Sequence, residues 1–292
     1  MTAPLLVTGG TGLLGRAVLR RAEGLELVAL SRSAPPGWAR ELPNVEWVTA
    51  DLAAHDLGRL LPERLAGIVH LARSRRQKQG ADGALDVFEV NVGSTARLLE
   101  HAARAGAERF VLASSASVYR RSDEPLAEDA PLDCSSLYEA SKLSAELLVQ
   151  AYAERVPGIA LRIFTPYGEG QTVDLMAELV ERVRAGRPID VQGEHGLLLS
   201  PIHADDVAEA VLAALRLSEA ELGGAVNVGG PDRLGIAEAG SLIGEALGIE
   251  PRFERHGGPD PLGYLADRRR AMELLDAPDP AAFAEGIART LA

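Results

Sequence analysis

Cysteine and lysine are scarce in this chain, and each scarcity excludes something. Cys134 is the single cysteine among 292 residues, so no disulfide can form within the chain, and a reducing cytoplasmic location is expected. No run of 18 apolar residues occurs, which leaves no candidate membrane helix, and the glycine turn described below begins too early to leave room for a signal peptide. Basic residues are outnumbered 30 to 42 by acidic ones, for a net charge of -12. Neither nucleic acid nor an anionic membrane is expected as a partner, because both need clustered Lys and Arg. Only two of the basic residues are lysines, Lys78 and Lys142; the chain uses arginine elsewhere. What is present is ordinary for a folded protein, with 47% hydrophobic and 25% charged residues, and 292 residues are enough for one large domain or one and a half.

The most informative stretch runs from Pro4 to Val18. Pro4-Leu5-Leu6-Val7 reads as a short apolar strand, Thr8 to Gly15 as a glycine-rich turn, and the residues from Arg16 as a helix. Glycines at 10, 12 and 15 satisfy G-x-G-x-x-G, and those at 9, 12 and 15 satisfy G-x-x-G-x-x-G. Missing side chains let backbone N–H groups approach a pyrophosphate, the positive end of the helix favours that anion, and Gly15 permits close packing of helix on strand. A purely structural turn is the alternative, but the strand-turn-helix context favours dinucleotide binding.

Further strands are expected at Leu25–Leu30, Val45–Val48, Gly67–Ala72, Arg109–Ala113 and Ile159–Phe164, alternating with helices at 16–22, 96–105 and 138–154. That rhythm predicts an α/β fold with a doubly wound parallel Rossmann sheet over residues 1–165. The rhythm breaks at Thr165-Pro166-Tyr167-Gly168. Residues 166–200 and 231–292 then read as a smaller, interleaved substrate lobe, with returns to the main sheet at about 201–230. The second strand ends at Ser31-Arg32-Ser33 with no acidic residue to hold a ribose 2′-hydroxyl; Arg32 suits a 2′-phosphate, so NADP is expected in preference to NAD, unless Arg32 is a solvated surface residue. Asp51-Leu52 follows the third strand, where the carboxylate either meets an adenine amino group or caps the next turn. His70, between apolar neighbours, reads as a core histidine with its hydrogen bonds satisfied rather than as a base. Arg73, Arg75, Arg76 and Lys78 form a basic loop running to Gly80; most such runs are simply solvated, but this one leaves the carboxyl end of a central strand, where ligands bind.

Tyr138 and Lys142 stand four apart at a helix start and share a face. An ammonium beside a phenol favours phenolate, so the tyrosine is expected to exchange a proton with a carbinol oxygen while hydride passes to or from a nicotinamide. Ser115, ending the neighbouring strand, is placed to hydrogen-bond the same oxygen. The alternative is an incidental surface pair. A chain that otherwise writes arginine has kept lysine where a compact, adjustable ammonium is useful.

These segments, with His70-Leu71-Ala72, Asn91 to Thr95, Ser114 to Tyr119, Arg162, His203 to Val207 and Asn227 to Gly230, resemble the extended short-chain dehydrogenase/reductases of the NAD-dependent epimerase/dehydratase type. The resemblance implies Ser115, Tyr138 and Lys142 as catalytic residues. For the dinucleotide it implies Gly9, Gly12, Leu13, Leu14, Gly15, Ser31, Arg32, Asp51, Leu52, Leu71, Ala72, Arg73, Arg75, Asn91, Ala113 and Pro166, together with Tyr138 and Lys142; it implies no metal. It also implies a small-molecule substrate, a sugar or sugar nucleotide, and a homodimer through the helices at 94–105 and 138–154. Sugar-nucleotide members carry Asn where Thr165 stands and a diphosphate-binding Arg at about Leu199; a second such Arg is sought among Arg268, Arg269 and Arg270, unless these form a solvated helix face. Ala116-Ser117, after Ser115, lack the acidic residues of the dehydratases. Three readings remain: epimerisation or reduction of a sugar or sugar nucleotide, NADPH-dependent reduction of a small non-sugar carbonyl compound, and a non-catalytic dinucleotide-binding protein.

Overall fold

In the computed structural model, which describes residues 3–53, 57–76 and 82–292, seven parallel strands form one sheet. In chain order the elements begin β1 (Leu5–Thr8), α1 (Leu13–Arg21), β2 (Leu27–Ser31), β3 (Val45–Thr49) and β4 (Gly67–His70). Then come α2 (Ala84–Val87), a π-helical segment (Phe88–Gly93), α3 (Ser94–Ala105), β5 (Phe110–Ser115), α4 (Leu137–Ala151) and β6 (Gly158–Ile163). The remainder comprises β7 (Pro166–Tyr167), α5 (Asp174–Arg184), β8 (Ile189–Gln192), β9 (Ile202–His203), α6 (Ala204–Ala214), β10 (Ala225–Val228), α7 (Ile236–Leu247), β11 (Phe253–His256), α8 (Arg269–Leu274) and α9 (Phe283–Leu291).

The main sheet has the order β10-β6-β5-β4-β1-β2-β3. Its direction of winding reverses between β1 and β4, which opens a crevice at their carboxyl ends, where such sheets take ligands. Apart from the edge strand β3, the strands are almost wholly buried because helices cover both faces, as a parallel sheet requires. One face packs on α1 and α6 through Val18, Leu19, Val207 and Val211; the other packs on α3 and α4 through Leu98, Leu99, Ala145 and Val149. A separate apolar core joins Met176, Leu179, Val191, Leu199, Ile243, Phe283 and Ile287, and forms the smaller lobe. Leu275 and its neighbour Leu274 pack instead with the main-sheet core. Among the described residues no helix is long and apolar enough to cross a membrane.

Several boundaries differ from those the sequence suggests. β5 extends two residues further than expected, and Ser115 is its last residue. Ahead of α3, residues 84–93 are already helical, and a π-helical turn places Asn91 inward. β8 pairs in parallel with β11, whose exposed residues give no apolar alternation to read.

Candidate active site

The glycine turn has the geometry that its composition requires. Gly9 adopts φ +71°, a left-handed conformation, and its carbonyl accepts from Gly12 N at 2.8 Å. A side chain at Gly15 would bring its first carbon within 2.2 Å of the Gly9 carbonyl oxygen, so none fits. The first turn of α1 has neither a capping side chain nor an acidic residue. Its N–H groups, including those of Leu13 and Leu14, are thus left for an anion, and the turn fits a dinucleotide pyrophosphate.

Thr8 joins this turn to the strand across the crevice. Its hydroxyl lies 2.7 Å from His70 Nδ1 and accepts from Ala72 N at 3.3 Å, while Ser94 Oγ lies 3.2 Å from His70 Nε2. Burial, and secondarily the Lys142 charge, pushes the His70 pKa down to about 3. His70 is therefore the neutral, fully partnered core histidine that its neighbours suggested. Leu71 is buried beside it, and a side chain on Gly9 would strike Ala72.

The other expected cofactor residues divide into free and occupied ones. Arg32 is exposed and makes no ion pair among the described residues; Ser31 donates to the Ser33 carbonyl at 2.7 Å. Asp51 is exposed and accepts from Ala53 N at 3.0 Å, so it caps the turn ahead of the buried Leu52 side chain. Asn91 is engaged internally: its Oδ1 accepts from Ser74 N at 2.8 Å and its Nδ2 donates to Ser141 Oγ at 2.9 Å. It thereby ties the basic loop to the helix carrying Tyr138. Arg75 and Arg76 are exposed; Lys78 and Gly80 lie outside the described residues.

α4 starts where a capping box fixes it. Ser136 Oγ accepts from Glu139 N at 3.3 Å, and Glu139 accepts from Ser136 N at 2.7 Å. This holds Tyr138 in the first turn and Lys142 one turn later. Lys142 is 4% exposed; its Nζ donates to the Ala113 carbonyl at 2.7 Å and stands 5.9 Å from the centre of the Tyr138 ring. Burial, followed by repulsion from Arg73, pushes the Lys142 pKa down to about 7, against the attraction of Glu146. The Ser115 hydroxyl acts on Tyr138 in the sense that favours phenolate, and is itself held by Ser117 N at 3.2 Å and Ser117 Oγ at 2.9 Å. β5 and α4 thus bring Ser115, Tyr138 and Lys142 together.

The electrostatics differ from expectation in one respect. Burial raises the Tyr138 pKa above its ordinary value, and the cation that opposes this most is Arg73, not Lys142. The Arg73 side chain meets Asp174 of α5, Nη2 to Oδ2 2.5 Å. Asp174 gave no sequence signal, being 101 positions away. A second unread feature lies behind the site: Arg162 pairs with Glu146 at 2.8 Å, Tyr119 donates to Asn227 at 2.7 Å and accepts from Arg162 at 2.8 Å, and Ser114 also donates to Glu146. Glu146 stands one helical turn beyond Lys142, a spacing that could have drawn attention to it.

The family's model matches residues 5–229. The chain belongs to the NAD dependent epimerase/dehydratase family. A UDP-glucose 4-epimerase of Mycolicibacterium smegmatis is 30% identical across 98% of this chain and 96% of its own length. The structure of MoeE5 in complex with UDP-glucuronic acid and NAD superposes with a TM-score of 0.85 at 28% identity, covering 99% of this chain and 97% of that one. The UDP-glucose 4-epimerase of Thermus thermophilus, solved with NAD, gives 0.84 at 26% identity, with 99% and 97% covered. This family member is accordingly an NAD(P)-dependent enzyme of the extended short-chain dehydrogenase/reductase type, with the Rossmann sheet of its relatives.

Within the family, its departures have structural consequences. Leu199 is 2% exposed, part of the small lobe's core and bridged to Leu234 and Tyr264, so an apolar contact stands where a diphosphate-binding arginine was expected. Arg269 is exposed and paired with Asp267, Arg268 faces Asp279 at 3.5 Å, and Arg270 reaches Gly224, before the amino end of β10 and away from the crevice. Thr165, where Asn was expected, adopts φ 40°, a strained conformation for a β-branched residue; Pro166 follows in β7, paired with Ile202 of β9.

Proposed function

We propose that this chain oxidises and reduces a carbinol of a sugar nucleotide, as an epimerase does, through Ser115, Tyr138 and Lys142. The observation that carries this reading is the convergence of the Ser115 hydroxyl and the Lys142 ammonium on one half-buried phenol, beside a glycine turn built for a dinucleotide. When bound, the nicotinamide supplies reversible hydride exchange. The chain's own part is proton handling. Tyr138 Oη takes the proton of a substrate hydroxyl or returns it to a ketone, Ser115 Oγ hydrogen-bonds the same substrate oxygen, and Lys142, anchored on Ala113, supplies positive charge under the ring. Gly9, Gly12, Leu13, Leu14 and Gly15 would hold the pyrophosphate; Ser31, Arg32, Asp51 and Leu52 the adenosine end; Leu71, Ala72, Arg75, Ala113 and Pro166 would line the remainder.

The relatives named above support a nucleotide sugar as substrate. Leu199, the pairing of Arg268 with Asp279 and of Arg269 with Asp267, and the placement of Arg270 beside Gly224 favour a second reading, reduction of a small non-sugar carbonyl compound, because each removes charge that a diphosphate would use. Arg32, exposed and without an ion pair among the described residues, supports NADP over NAD, although MoeE5 and the Thermus enzyme were solved with NAD. We further infer a homodimer through α3 and α4.

The deciding measurement is turnover of UDP-glucose, UDP-galactose and UDP-glucuronate by the wild type and by Tyr138→Phe, with cofactor titrated in parallel. Tyr138→Phe is expected to lose turnover by about 100-fold or more while binding dinucleotide nearly as well. Surviving turnover would remove Tyr138 from the mechanism.

A further inference from the structure

We propose that Arg73 recognises a carboxylate on the reacting sugar, and that Asp174 occupies its guanidinium until such a substrate arrives. The inference rests on the nucleotide-sugar reading and deepens it to a uronic-acid substrate.

The pair bridges the two lobes beside the phenol. Arg73 follows β4 at the point where the sheet reverses, and Asp174 begins α5 in the smaller lobe. Both side chains remain open to solvent, at 29% and 39% exposure, whereas the structural pair Arg162–Glu146 is sealed at 7% and 8%. A sealed pair holds a fold together; an open one at the mouth of a cleft can exchange partners.

Asp174 is held in an unusual way. An aspartate at a helix start ordinarily caps it, yet α5 has no side-chain cap, and Asp174 sits at φ 73°, which few side chains adopt. Its carboxylate serves Arg73 instead, through one oxygen at 2.5 Å. Guanidinium carries five N–H donors in a planar fork, so a single-oxygen contact leaves capacity that a two-oxygen carboxylate contact would use.

Arg73 is also close to the chemistry. It exerts the strongest charge effect on both Tyr138 and Lys142, so an anion on the ring whose hydroxyl meets that phenol falls within its field. MoeE5, at 28% identity, was solved with UDP-glucuronic acid, a ligand with such a carboxylate.

The test compares kcat and KM for UDP-glucuronate and UDP-glucose in the wild type, Arg73→Ala, Arg73→Lys and Asp174→Asn, with thermal melts confirming that each variant folds. The wild type is expected to favour UDP-glucuronate. In Arg73→Ala the ratio of kcat/KM for the uronate over the neutral sugar falls about tenfold or more, mainly through KM. Arg73→Lys restores part of the ratio, and Asp174→Asn raises it by removing the competitor. An unchanged ratio in well-folded Arg73→Ala and Arg73→Lys overturns the role of Arg73, as does a wild-type preference for UDP-glucose, while leaving the nucleotide-sugar reading intact. A lower ratio in Asp174→Asn overturns the exchange of partners. Wild-type inactivity on both sugars overturns the nucleotide-sugar reading, and this inference with it.

Discussion

Lys142 Nζ donates to the Ala113 carbonyl at 2.7 Å, so the helix bearing the candidate proton donor is pinned by its ammonium to the strand that ends in Ser115. Keeping that charge buried has a thermodynamic consequence. An unfolded lysine holds its proton up to about pH 10.4, whereas Lys142 in the fold loses it at about 7, chiefly through burial. Between those values the unfolded chain binds more protons, so this group makes stability rise with pH; below about pH 7 both states are protonated and the destabilisation is complete. Lys142→Met, similar in size and uncharged, is therefore expected to melt above the wild type at pH 6, with the gap closing towards pH 10. Melting curves across that range check it, and a gap independent of pH would contradict it.

The buried network behind the site gives an opposite expectation. Burial opposes the charge of Arg162, and hydrogen bonds and attraction from Glu146 outweigh it, leaving its pKa above the ordinary value. Glu146→Ala strands a guanidinium that is 7% exposed, together with the Ser114 hydroxyl. Losing one partner of such a pair costs about 3–5 kcal/mol, measurable by denaturant titration. Glu146→Gln keeps the shape and part of the hydrogen bonding, and should lose less. Equal stability of all three proteins would mean that the pair contributes nothing net.

Much of the framework could be read from local pattern. The turn from Thr8 to Gly15 is specified by a left-handed glycine at 9 and by a glycine at 15 where no side chain fits, and Tyr138 and Lys142 by a single helical spacing. Strand β10 and helix α7 fall at the residues their apolar pattern marks. What escaped was non-local or aperiodic. The Arg73–Asp174 contact spans 101 positions, and no pattern announces it. The π-helical turn at 88–93 breaks the period of 3.6 on which helix reading rests. The raised Tyr138 pKa depends on how deeply the fold buries the phenol, a quantity absent from spacing alone.

The inferred homodimer is open to a direct check. On α4, Leu147 is 57% exposed and Leu137 46%, and Phe88 ahead of α3 is 53% exposed, more apolar surface than these helices need as an outer face. Native mass spectrometry is expected to give twice the chain mass of 30.9 kDa, falling to one chain in Leu147→Glu while its circular dichroism stays the same. The same spectra report any retained dinucleotide, and oxidised cofactor held through purification favours epimerisation over reduction, since an epimerase recycles it in place. A monomeric wild type at micromolar concentration would sink the dimer.

The proposed preference for NADP is tested at Arg32. β2 ends at Ser31 without the carboxylate that would hold a ribose 2′-hydroxyl, and Arg32 is exposed there with no ion-pair partner among the described residues. A 2′-phosphate beside it would gain a charge-assisted contact, whereas NAD has no group there to use that charge. Arg32→Asp reverses both conditions: it repels the phosphate and offers the ribose an acceptor. Fluorescence titration should then show NADPH affinity falling by about tenfold or more, with NADH affinity unchanged or improved. Equal losses for the two cofactors would show that Arg32 does not touch the phosphate. Wild-type protein that binds NADH more tightly than NADPH would point the same way, and would place its cofactor choice with the NAD complexes of MoeE5 and the Thermus enzyme.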